Sequence, residues 1–163
     1  MNIAIRYYTK TGNTKKLADA ISEAIGVEAK TIDEPLSEDV DVLFLGSSVY
    51  AAGADPKVKQ FIQDIDVNVG KVVNFSTAAL IDSTYRQIKS EVEKKGIVME
   101  SEEFHCRGSF KLLHRGRPNN DDLENVKAFA KGIVSWFFLF ELLKISFIDF
   151  RTFKLIFPIF YFF

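Results

Sequence analysis

The sequence predicts an α/β protein, an open parallel sheet covered by helices on both faces, and three observations carry that expectation. Strand-like and helix-like periodicities alternate from the first residues, with a repeat of roughly 30 residues. The runs Val42–Gly46 and Val72–Phe75 are continuously apolar rather than alternating, as in strands buried on both faces. Glycine closes two of the helical stretches, at Gly26 and Gly96.

Taken in order, residues 2–8 predict a first strand, and residues 13–25 carry Leu17, Ala18, Ala20, Ile21 and Ile25 at helical spacing. Val27–Ile32 predicts a short second strand. Only a brief segment separates it from the third at Val42–Gly46, so a helix there is a turn or two at most. Asp55 and Pro56 open a second helix, Pro suiting the first helical turn, with Val58, Phe61, Ile62 and Ile65 on one face. A fourth strand at Val72–Phe75, a helix over Ser83–Lys95, a fifth strand over Ile97–Cys106 and a helix over Asp121–Val134 complete the alternation.

With 163 residues the chain is long enough to bury a core as one domain. A net charge of −1 speaks against nucleic acid as a partner, because the phosphate backbone demands a basic face. Cys106 is the single cysteine, which excludes an internal disulfide and a cysteine-built metal site; His105 and His114 lie nine positions apart, without helical ligand spacing. The chain starts directly in a strand pattern with no charged-then-apolar leader, so a cytoplasmic location is expected.

In open parallel sheets ligands sit outside the carboxyl ends of the strands. The loops to inspect are therefore 9–14, 47–55, 76–82 and 106–119. The first holds Thr9, Lys10, Thr11, Gly12, Asn13 and Thr14 at a helix N-terminus, where unpaired backbone N–H groups and the macrodipole favour an anion. It matches neither G-x-x-x-x-G-K-[ST] nor G-x-G-x-x-G. Neutral donors suit a phosphate monoester held by hydrogen bonds; the simpler alternative is that Asn13 or Thr14 caps the helix.

T-K-T-G-N-T after a first strand resembles the flavodoxin phosphate loop, T/S-x-T-G-N-T, and the resemblance extends through LGSSVYAAGADPKVKQFI and FSTAAL to about residue 134. It implies a doubly wound five-stranded sheet of order 2-1-3-4-5 and FMN as cofactor. It also implies that Thr9, Lys10, Thr11, Gly12, Asn13 and Thr14 hold the FMN phosphate. Ser48, Val49, Tyr50, Ala51 and Gly53 would flank one flavin face. There Tyr50 either stacks on the ring or is a half-buried strand-end aromatic, and Gly53 either supplies a flexible peptide or is a turn glycine. Ser76, Thr77, Ala78 and Ala79 would border the pyrimidine edge, and Arg107 and Gly108 would also border the flavin. The family often has a second stacking aromatic in the third loop; here the nearest is Tyr85, which belongs by pattern to the following helix, so one flavin face is expected to be open. No catalytic side chain is required, because the flavin carries the redox chemistry.

The fourth loop carries Arg107, Lys111, Arg115 and Arg117 without an acid. It is either a solvated basic loop or a docking patch for an acidic redox partner or a small anionic substrate. The expected function is electron transfer to a partner enzyme. The alternatives are an FMN-dependent reductase or oxidase acting directly on a small, anionic substrate, and a cofactor-free interaction module of the same fold. Against the last, the first and third strand ends carry Arg6-Tyr7-Tyr8 and Gly46-Ser47 in place of acids. Residues 136–163 hold ten of the sixteen phenylalanines. Glu141, Lys144, Asp149, Arg151 and Lys154 interrupt any membrane span. The expectation is a flavodoxin-like domain over 1–134 and an apolar tail over 135–163 outside the family fold. Such a tail is what a shifted reading frame would encode, and it offers a surface for oligomerisation.

Overall fold

A computed structural model describes residues 1–50, 53–78, 83–109 and 113–143. Ala51, Ala79, Lys111, the side chains of Val49, Tyr50 and residues 140–143, and the tail beyond Leu143 lie outside that description. The elements are β1 (Ile3–Tyr7), α1 (Asn13–Ile25), β2 (Ala29–Thr31), β3 (Val40–Tyr50), β4 (Gly53–Ala54), α2 (Pro56–Gln63), β5 (Val69–Ala78), α3 (Tyr85–Lys94), β6 (Val98–Met99), β7 (Phe104–Arg107) and α4 (Asn120–Leu143).

The sheet runs β2-β1-β3-β5-β6, with β7 also parallel to β5 and β4 antiparallel to the end of β3. Counting β6 and β7 as one interrupted strand, this is the expected 2-1-3-4-5 order. At the interruption Glu100 is buried, its carboxylate accepting from Lys71 Nζ at 2.8 Å and from the backbone N–H of Ser101 at 2.8 Å. β3 and β5 extend further than the apolar runs predict, to Tyr50 and Ala78, because serine and threonine continue both strands after the hydrophobic residues stop. Ser47 and Ser48 pair with Ser76 and Thr77 as ladder partners. Residues 47–50 and 76–78, expected in loops, are thus strand ends.

One core lies between the sheet and α2 and α3, with Leu43, Leu45, Val58, Ile62, Val72, Ile88 and Val92. The other lies between the sheet and α1 and α4, with Ile5, Leu17, Ile21, Phe44, Phe75, Val126 and Ala130. No helix joins β2 to β3. Arg6 holds that segment instead: its guanidinium donates to the carbonyls of Glu34 at 2.7 Å, Ile5 at 3.1 Å and Pro35 at 3.1 Å. Burial lowers its pKa, against the raising influence of Glu34 and Glu28.

α4 continues to Leu143, nine residues beyond Val134, where the sequence pattern ends. The reason is phase: Val126, Ala130, Ile133 and Phe137 fall on one stripe against the sheet. Among the described residues no helix is long and apolar enough to cross a membrane.

Candidate functional site

All parallel strands present their carboxyl ends at one edge, and the four loops of interest meet there. The first loop turns into α1 at Gly12, whose φ of 82° is left-handed backbone that glycine adopts without a Cβ penalty. Lys16 N–H donates to Gly12 O at 3.2 Å, the first bond of the helix. Ahead of it, no side chain caps α1 and no acid stands in its first turn, so the first backbone N–H groups of the helix have no intrahelical acceptor.

The polar side chains expected as caps bond elsewhere. Asn13 Nδ2 donates to Thr11 Oγ1 at 3.1 Å and across the site to Ser109 O at 2.9 Å. The Thr14 hydroxyl, fully buried, meets that of Thr77 on β5 at 2.9 Å. Thr9 Oγ1 accepts from Gly12 N–H at 3.0 Å and closes the loop on itself. The capping alternative is therefore set aside: these residues brace the loop and leave the helix end to its backbone. Lys10, the loop's one charged residue, places its ammonium 2.6 Å from Asp55 Oδ2.

In the second loop region, Ser47 Oγ donates to Thr84 Oγ1 at 2.7 Å, and Ser48 Oγ reaches Tyr8 O at 3.5 Å. Gly53 lies in β4 opposite Tyr50. A Cβ added there would stand 3.0 Å from the Gln87 amide, whose Oε1 accepts from Ala54 N–H. Gly53 thus sits against α3 with its backbone outside the left-handed region. Close approach, and no special dihedral, is what suits glycine here.

Ser76, Thr77 and Ala78 end β5, level with His105, Cys106 and Arg107 of β7. Ser76 Oγ is the one buried side-chain polar atom among the described residues with no hydrogen-bond partner. Beneath it Asn74 links Thr84 and Glu103, and Ser83 Oγ also bonds Glu103. This ties the stem of the third loop to the start of β7.

The fourth loop folds over the first. Gly108 N–H donates to Ala78 O at 3.0 Å, and a Cβ at Gly108 would lie 3.1 Å from Asn13 Nδ2 and 3.2 Å from Thr77 Cβ. Ser109 N–H donates to Arg117 O at 3.0 Å and its hydroxyl to His114 O at 3.0 Å, closing the neck of the loop. Arg117 pairs with Asp122 at 3.0 Å; His114 and Arg115 are exposed. Burial, with Asp122 adding to it against Arg117, pushes the Cys106 thiol up to about 12, so it is no thiolate at neutral pH. Tyr85 turns its hydroxyl to Glu100 O at 2.9 Å.

The site thus brings together Thr9 to Thr14, Ser48, Thr77, Ala78 and Gly108. Asp55, Ser109 and Gln87 carry no such signal in the sequence. Asp55 is legible there as the cap of α2, whose Lys57 N–H it accepts at 3.1 Å, but nothing in the sequence points to its partner Lys10.

A family description of the flavodoxin domain matches residues 4–113, more than half of the chain. The chain belongs to the flavodoxin domain family. An uncharacterized protein of Methanocaldococcus jannaschii is 28% identical over 135 residues, covering 75% of this chain and 90% of its own length. An archaeal flavodoxin structure superposes with TM-score 0.65 at 15% identity, over 83% of this chain and 97% of that one. Oxidised flavodoxin 2 of Bacillus cereus gives 0.64 at 18%, over 83% and 99%. Part of a longer protein, the rubredoxin oxygen:oxidoreductase of Desulfovibrio gigas, gives 0.62 at 16%, over 79% of this chain and 34% of that one. In this flavodoxin domain, then, the T-K-T-G-N-T segment stands at the strand-to-helix junction between β1 and α1, where its hydrogen bonds have just been described.

Proposed function

We propose that this flavodoxin domain binds FMN and acts in the cytoplasm as a redox protein that passes electrons to a partner enzyme. The observation that carries the reading is the N-terminus of α1: uncapped, free of acid in its first turn, and framed by a hydroxyl bonded to β5 and an amide bonded to the loop after β7. Backbone N–H groups of Thr11, Asn13 and Thr14 with the Thr9, Thr11 and Thr14 hydroxyls form a donor set that fits a phosphate monoester, the Gly12 N–H being held by Thr9 Oγ1. Ser48, Val49, Tyr50, Ala51 and Gly53 would flank one face of the ring, and Ser76, Thr77, Ala78 and Ala79 its polar edge. Arg107 and Gly108 would close the site. When bound, FMN supplies one- and two-electron chemistry; the protein contributes binding, orientation and the electrostatics that set the potential.

The basic loop 107–117, exposed at His114 and Arg115, offers the docking surface for an acidic redox partner. A second reading, direct reduction of a small anionic substrate, draws support from Tyr85. Its hydroxyl is committed to Glu100 O, and residues 79–82 contain no aromatic to cover the second ring face.

The test is the visible spectrum of the purified protein, then FMN titration of the wild type and of Thr11→Ala/Thr14→Ala. The wild type is expected to take up one FMN and the variant to bind it about tenfold or more weakly. A colourless protein that takes up no added FMN sinks the reading. With FMN bound, turnover of an anionic acceptor without added partner decides for the second reading.

A further inference from the structure

Asp55 makes more contacts than a helix cap requires. It is 9% exposed, its Oδ1 accepts the Lys57 N–H at 3.1 Å, and its Oδ2 lies 2.6 Å from the Lys10 ammonium. Burial pushes its pKa up, but the bonds from Lys10 and the Lys57 N–H outweigh that and hold it below the ordinary carboxylate value. Tyr8, at the end of β1, sits under both neighbouring cations, with Lys10 Nζ 5.9 Å and Lys57 Nζ 5.8 Å from its ring centroid. Two segments meet at this carboxylate: the loop entering α1, and the chain leaving β4 for α2.

We infer that Lys10 and Asp55 form a clamp that fixes the spacing between the loop entering α1 and the segment leaving β4, so that both are positioning residues for the cofactor and Lys10 is not its phosphate ligand. The inference rests on the FMN reading above and changes one residue's part in it. The phosphate is then held by neutral donors alone, while the loop's single positive charge is committed to Asp55. Lys10 is half exposed but Asp55 is buried, so removing the ammonium costs some global stability as well as changing the geometry of the loops the pair joins.

The test compares FMN dissociation rates for the wild type, Lys10→Met, Asp55→Ser and the double variant. Serine can still cap α2 but cannot pair with Lys10. Each single variant is expected to release FMN about tenfold faster and the double variant no faster than either single one, the non-additivity of residues acting as a unit. Additive losses, or a Lys10→Met loss beside tighter binding in Asp55→Ser, overturn the clamp: the second pattern is that of a lysine released onto the phosphate. A second readout needs no cofactor. Amide hydrogen exchange of residues 9–14 in the FMN-free protein is expected to rise in both single variants by more than the shift in urea midpoint accounts for; exchange that rises no more than that shift overturns the clamp. Wild-type protein that takes up no FMN defeats the functional reading instead, and the exchange arm still decides on the clamp.

Discussion

Gly46 and Phe75 share one position in the core between the sheet and α1. A Cβ on Gly46 would stand 2.3 Å from two atoms of the fully buried Phe75 ring. The two residues are ladder partners on β3 and β5, so neither backbone can retreat without breaking the sheet. Gly46→Ala is therefore expected to destabilise the protein by about 2 kcal/mol, the cost of overpacking a rigid core. Phe75→Leu, made on top of it, should recover part of that loss by vacating the ring's volume. Urea unfolding of the two variants checks this; an additive loss in the double variant contradicts it. The sequence shows Gly46 only as the end of an apolar run. Its ring partner lies 29 positions away, and no local pattern points to it.

At the scale of elements, legibility follows hydrophobic periodicity and stops where polar residues take over. The helices are readable because their apolar faces recur at helical spacing: Leu17, Ala18 and Ile21 in α1, Val58, Phe61 and Ile62 in α2. β3 and β5 are readable only as far as their apolar halves, since Ser47, Ser48, Ser76 and Thr77 look like loop composition while making full ladder pairs. The candidate site is legible as a set of loops because its residue types are unusual together. Its bracing is not, because the Asn13–Ser109 and Thr14–Thr77 bonds span 96 and 63 positions. α4 shows the converse case, an element longer than its pattern. Gly132 interrupts it, exposed, with nothing within 4 Å of the place an added methyl would take. Gly132→Ala is accordingly expected to stabilise the protein by about 0.5–1 kcal/mol, through helix propensity and a less disordered unfolded chain. A thermal or urea midpoint that falls would show that this glycine serves a contact instead.

On the scale of the whole molecule the question is where the domain ends. The composition changes at residue 135, and the flavodoxin domain match ends at residue 113. The helix ignores both limits. Phe137, on the same stripe as Val126, Ala130 and Ile133, lays its ring 4.5 Å from Lys71 Nζ, and Lys71 is itself paired with buried Glu100 at 2.8 Å. That ring shields an ion pair at the point where the fifth strand is interrupted, and a shielded pair loses much when one side is opened to water. By contrast Phe138, one position on, is 62% exposed and packs little. We therefore propose that the domain extends at least through this stripe, to Phe137. A chain ending at Leu143 is expected to match the full chain in urea midpoint and FMN uptake. One ending at Val134 should be less stable by about 2 kcal/mol, the combined loss of a half-buried aromatic and its cation–π contact. Phe137→Ala in the full chain should reproduce most of that loss, whereas Phe138→Ala should change little. Equal stability of the chains ending at 134 and 143 would return the boundary to Val134 and leave the Phe137 contact without energetic weight.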